Sequence, residues 1–191
     1  MPSSWIGKFV EIPAPLDIIP LFIRGGHILP TQNPDRTTTM SRLNPLGLII
    51  ALDHQGEASG SLFWDDGDSI DSIEKEQFFY VDYKFSHHML KTTVVNNGFQ
   101  GVTNLAYGTI QILGLSARPQ VVSVNGNTIA DSRIQYDNSG KLSVLISAPL
   151  SQELTMNFEL EGSLRNASQS HTPPSMFSAP PKNVSNIEIA G

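Results

Sequence analysis

Residues 62–70, Leu-Phe-Trp-Asp-Asp-Gly-Asp-Ser-Ile, gather the densest acidic chemistry of the chain: Asp65, Asp66 and Asp68 crowd around Gly67, Trp64 precedes them and Asp71 follows Ile70. Carboxylates this close could hold a hard cation, or supply the acid and nucleophile that cleave a glycosidic bond. The spacing fits neither. A calcium loop of the EF-hand kind needs a glutamate six residues beyond its glycine, where this chain has Ile73. Asp65 and Asp66 are neighbours, and neighbours on a strand point to opposite faces, so they cannot address one scissile bond. The bland alternative is a two-residue hairpin turn at Asp66-Gly67, with Phe63 or Trp64 packed inward.

Other residues could do chemistry singly. Trp64 with Tyr80 or Tyr83, from Phe-Phe-Tyr-Val-Asp-Tyr-Lys-Phe (78–85), could stack against a sugar, because alternate residues of a strand face outward. Core packing is the commoner fate of strand aromatics. His87 and His88 have no third ligand spaced nearby and read as surface residues at a strand start. No Gly-x-Ser-x-Gly elbow marks a serine nucleophile. Neither a metal nor a cofactor is expected from these patterns.

The elements that would position these residues are strands. Leu154, Met156, Phe158 and Leu160 alternate along 153–160, Leu142, Val144 and Ile146 along 141–147, and Ile110 pairs with Ile112. Asn125-Gly126 between β-branched runs is a strong hairpin signal, and Asn-Asn-Gly (96–98) and Asp-Asn-Ser-Gly (137–140) read as further turns. No apolar period of 3.6 lasts beyond two turns. The expected fold is all-β, an antiparallel β-sandwich with a disordered tail.

Composition narrows the partners. A chain of 191 residues with 39% hydrophobic and 16% charged residues is ordinary globular material. Its formal net charge of −6, without a run of Lys or Arg, argues against nucleic acid. The chain has no cysteine, which removes disulfides and thiolate metal sites. No apolar stretch approaches the roughly 20 residues that span a bilayer, and the first residues carry no signal-peptide core.

Prolines mark the ends of the chain. Pro13, Pro15, Pro20 and Pro30 keep residues 11–30, Glu-Ile-Pro-Ala-Pro-Leu-Asp-Ile-Ile-Pro-Leu-Phe-Ile-Arg-Gly-Gly-His-Ile-Leu-Pro, extended, and Gly25-Gly26 allows a tight bend. This segment resembles the stretch that follows the catalytic barrel in family 31 glycoside hydrolases, the α-glucosidase family. A second block, residues 46–71 with Leu-Phe-Trp-Asp-Asp-Gly-Asp-Ser-Ile-Asp, resembles the β-domain next in order, and is most like the intestinal sucrase–isomaltase and maltase–glucoamylase type. The resemblance covers about residues 8–160.

The resemblance implies a remnant of a proximal C-terminal β-domain over 1–45, a distal C-terminal β-sandwich over 46–162, and a Ser/Pro-rich tail over 163–191. It makes Arg24, Gly25, Gly26, Asp65, Asp66 and Gly67 structural motif residues and leaves no catalytic residue in the chain. The family's Trp-x-Asp-Met-Asn-Glu nucleophile motif and its Gly-Asp-Asn acid segment are absent, so the expected object is a fragment or truncated isoform, inactive alone. Its implied partner is the (β/α)8 barrel of a parent α-glucosidase, reached through Arg24. An apolar surface around Pro-Leu-Phe-Ile-Arg-Gly-Gly-His-Ile-Leu should lie exposed. The alternative is a carbohydrate-binding sandwich that takes α-glucan oligosaccharides on Trp64 and Tyr83. A secretory location is implied, with N-glycosylation sequons at Asn166 and Asn183.

Overall fold

The structure is a computed structural model and describes Gly7 and residues 9–160. The tail, with Asn166 and Asn183, lies outside the described residues, as do Met1–Ser4. The strands, in chain order, are β1 (His27–Gln32), β2 (Leu46–Ala51), β3 (Ala58–Trp64), β4 (Phe79–Ser86), β5 (Met89–Asn97), β6 (Ala106–Leu113), β7 (Pro119–Val124), β8 (Asn127–Thr128), β9 (Ile134–Tyr136), β10 (Lys141–Pro149) and β11 (Thr155–Leu160). The one α-helix among the described residues, α1 (Thr38–Ser41), is a single turn capped by the Thr37 hydroxyl, which accepts from the Met40 amide at 3.2 Å. The all-β expectation holds.

Period-two patterning converts directly into burial. Leu142, Val144 and Ile146 of β10 face inward, as do Ile110 and Ile112 of β6, Met156 and Phe158 of β11, and Leu154 just before it. The strands form one sheet in the order β8-β7-β11-β5-β4-β3-β1-β2-β6-β10-β9. Most neighbours are antiparallel, but β1 lies parallel to β3 and β2 parallel to β6. The sheet curls back on itself into a sandwich. Tyr83 of β4 and Tyr107 of β6 meet edge to face with centroids 6.3 Å apart, although β3, β1 and β2 separate their strands in the sheet.

Turn chemistry sets the register at two hairpins. Asn125 (φ 48°) and Gly126 (φ 82°) close β7 to β8, as their pairing promised. His87 (φ 50°) and His88 (φ 56°) close β4 to β5, so they form a two-residue turn rather than a strand start. Positive φ is uncommon for a non-glycine residue, although histidine tolerates it better than most. Asn-Asn-Gly (96–98) is not a turn of this kind. β5 runs through Asn97, and Gly98 is needed because a Cβ there would run into the Glu76 carbonyl.

The seam of the sheet is β1. It pairs along its whole length with β2, but it meets β3 at one register pair, His27 opposite Ser59, extended by the Ser59 amide donating to the Gly26 carbonyl at 3.0 Å. Gly60 makes the approach possible, since a Cβ on it would collide with the Ile28 carbonyl. Gly60→Ala should therefore lower stability by about 1–3 kcal/mol, the usual cost of overpacking, while Ser61→Ala next to it stays within about 0.5 kcal/mol. Urea unfolding of both variants checks this, and equal midpoints would contradict the seam.

Candidate functional site

The acidic stretch connects β3 to β4 across residues 65–78, so the expected two-residue hairpin is corrected: there is a turn at Gly67 (φ 79°), but a longer loop surrounds it. The loop is long because its carboxylates bind their own backbone. Asp65 Oδ1 accepts from the Gly67 amide at 2.9 Å and Oδ2 from the Ser72 hydroxyl at 2.8 Å. Asp66 Oδ1 accepts from the amides of Asp68 (3.0 Å) and Ser69 (2.9 Å), and Oδ2 from the Ser69 hydroxyl at 2.6 Å. The Ser69 hydroxyl, ahead of these amides, holds Asp66 down to about 2, well below the usual carboxylate range. Asp71 pairs with Lys75 one helical turn on, at 2.6 Å. The far end is fixed by Gly98, whose amide donates to the Phe78 carbonyl at 2.9 Å.

A residue that the sequence did not single out completes the site. Arg42, at the C-terminal end of α1, donates from Nη2 to the Asp65 carbonyl, and its guanidinium lies 4.0 Å from the Trp64 ring centroid. A Cβ on Gly67 would come within 3.2 Å of Arg42 Nη1. Arg42 thus fits between the indole and the glycine, which explains the need for Gly67 at that place. No local spacing links Arg42 to Trp64, so only the fold could reveal the pairing.

The remaining candidates fall elsewhere. Trp64 is half-buried, packs against the core and carries Arg42 on its ring. Tyr83, weighed as a second sugar-stacking ring, is corrected: it is 2% exposed, and its hydroxyl accepts from that of Tyr107 at 3.3 Å. Burial pushes both phenols upward, Tyr107 to about 12. The inward face of β4 dictates this position, whereas Tyr80 is half-buried. Arg24, Gly25 and Gly26 make a bend against the turn after β2. The Gly26 amide donates to the Ala51 carbonyl at 2.7 Å, and a Cβ on Gly25 would lie 2.9 Å from the Leu52 carbonyl oxygen. Arg24 is exposed and forms no ion pair among the described residues. Among these residues no group of three or more histidines and carboxylates could hold a metal, and no helix is long and apolar enough to cross a membrane.

The carboxylates of Asp65 and Asp66 are thus turned onto their own loop, and Asp71 onto Lys75, while Asp68 stays exposed. The open feature is the segment before the bend. Phe9, Leu16, Ile19 and Leu21 are each more than 80% exposed, and Ile18 and Phe22 more than half. So many exposed apolar side chains in one segment are a feature of interaction surfaces.

No family model matches the chain. It is 39% identical over 162 residues to intestinal sucrase-isomaltase of Rattus norvegicus, covering 83% of this chain and 8% of that protein. It is 36% identical over 162 residues to probable maltase-glucoamylase 2 of Homo sapiens, covering 82% and 6%. With lysosomal alpha-glucosidase of Rattus norvegicus it shares 32% over 157 residues, covering 82% and 16%. The chain therefore spans less than a fifth of the length of these relatives. In fold it is similar to a glucosidase II alpha subunit crystal structure, with a TM-score of 0.64 at 24% identity, over 76% of this chain and 18% of that one.

The low Asp66 value has a definite sign. A carboxylate depressed in the folded loop stabilises it fully above the ordinary value of about 4 and loses that contribution as pH falls through about 2. A carboxyl NMR titration should place the Asp66 midpoint near 2, and Ser69→Ala should raise it. A midpoint near the ordinary value of 3.8 would contradict the hydrogen bonding described.

Proposed function

The chain belongs to the family 31 glycoside hydrolases, as a part of their C-terminal β-region, and on that premise we propose that it is a structural module that packs on the catalytic barrel of an α-glucosidase. The observation that carries this reading is the apolar strip over residues 9–22, whose large side chains face solvent beside a β-core that is otherwise well filled. Burying apolar surface is worth about 25 cal/mol per Å2, so six large side chains are a strong drive to associate. Arg24 and the Gly25-Gly26 bend set the angle at which the strip leaves the sheet. Asp65, Asp66 and Gly67 serve the module itself, as a rigid cap locked by Arg42.

The parent reaction is hydrolysis of terminal α-glucosidic bonds of malto- or isomalto-oligosaccharides with retention, through two carboxylates about 5–5.5 Å apart on the barrel. The relatives named intestinal and lysosomal favour a secretory location for it. The rival reading, an autonomous sugar-binding sandwich, has less support, since Tyr83 is buried and Arg42 lies over the Trp64 ring.

Two measurements separate the readings. A family 31 barrel produced without its C-terminal β-region should gain solubility and activity when mixed with this chain, and Leu21→Asp combined with Phe22→Asp should abolish the gain. Calorimetric titration of the folded chain with a maltooligosaccharide should give no heat. Saturable heat that disappears in Trp64→Ala would overturn the scaffold reading.

A further inference from the structure

Three steps in the chain place glycine directly after an aspartate or asparagine: Asp66-Gly67, Asn97-Gly98 and Asn125-Gly126. At such a step the glycine amide nitrogen can attack the side-chain carbonyl carbon. A nitrogen–carbon bond forms, the glycine proton passes to solvent, and the asparagine amide leaves as ammonia. Water then opens the five-membered imide, giving aspartate or its isomer linked through the side-chain carbon. The reaction needs a free nucleophilic nitrogen and an electrophilic carbonyl, and the fold treats the three steps differently.

At Asn97-Gly98 the attacking nitrogen is engaged twice: the Gly98 amide donates to the Phe78 carbonyl at 2.9 Å and to Asn96 Oδ1 at 2.8 Å. At Asp66-Gly67 the Gly67 amide donates to Asp65 Oδ1, and the Asp66 carboxylate accepts three hydrogen bonds that hold it ionised and unreactive. At Asn125-Gly126 the glycine is exposed, open space surrounds it, and no acceptor meets its amide among the described residues. The Thr155 amide, moreover, donates to Asn125 Oδ1 at 2.8 Å. That oxygen gathers negative charge as its carbon is attacked, so the bond acts as an oxyanion donor.

We infer that Asn125 is a site of spontaneous deamidation in this chain, and that the fold protects Asn97. The modification has a structural consequence. Asn125 is joined to Thr155 by a second bond, from its own amide to the Thr155 carbonyl at 2.8 Å, so the turn anchors the β7–β8 hairpin to β11. The iso-aspartyl product inserts an extra backbone atom into a two-residue turn whose register depends on its length. It also adds one negative charge.

Ageing of the full chain in mildly alkaline buffer, followed by peptide mapping and mass spectrometry, tests this. Asn125 should convert about tenfold faster than Asn97, a ratio in keeping with the hydrogen bonds on the Gly98 nitrogen. In denaturant the two rates should converge, since both steps are then Asn-Gly without a fold. Asn96→Ala, which frees one bond to Gly98, should raise the Asn97 rate severalfold and leave Asn125 unchanged. Equal native rates in a preparation whose circular dichroism shows the intact sheet, or no effect of Asn96→Ala, would overturn the inference.

Discussion

The architecture depends on the close approach of β1 to β3 at Gly60. Without that contact the sheet order has no link between the group β4, β5, β11 and β7 and the group β2, β6 and β10, since β1 is the strand between β3 and β2. A parallel junction with a single register pair is a weak joint in hydrogen-bond terms, and parallel pairing is slightly the less stable kind. The joint is held instead by what lies beneath it. Ile28 is 2% exposed, and the Tyr83–Tyr107 contact bridges the interior from one group to the other. Packing across the core thus substitutes for pairing along the sheet.

Much of this was legible in the residues and some was not. Alternation identified the buried faces of β6, β10 and β11 because a strand's side-chain period is fixed by its geometry. Asn125-Gly126 was legible because positive φ at two successive positions is cheap there. His87-His88 was not, since histidine carries no such preference strongly, and its turn is imposed by the antiparallel pairing of β4 with β5. The parallel pairs β1–β3 and β2–β6 left no local trace at all. They arise from crossover connections between strands apart in sequence, which period-two patterning cannot report. At the acidic stretch the turn at Gly67 was readable, but the Arg42 clamp was not, because an arginine distant in sequence reaches Trp64 only through the fold. Tyr83 was left open between sugar stacking and the core for a simple reason: alternation gives two faces but does not say which is inside until the neighbouring strands are known.

The contrast between the two motif regions points to the role of the chain. The loop after β3 satisfies Asp65 and Asp66 with its own amides and hydroxyls, and the tryptophan before it lies under a guanidinium. Such a loop offers little to a substrate and much to rigidity. The segment before β1 is the reverse, apolar, extended and uncovered. A module of this kind has a filled core and an uncovered apolar segment beside it.

Native-state hydrogen exchange of the isolated chain, resolved by segment, tests that description most directly. Amides of β4, β5 and β11 and those of β2, β6 and β10 should be protected to a common extent, because β1 and the core join them in one cooperative unit, while residues 9–22 should exchange without protection. Separate protection levels for the two groups of strands, or a protected 9–22 segment in the chain alone, would contradict it.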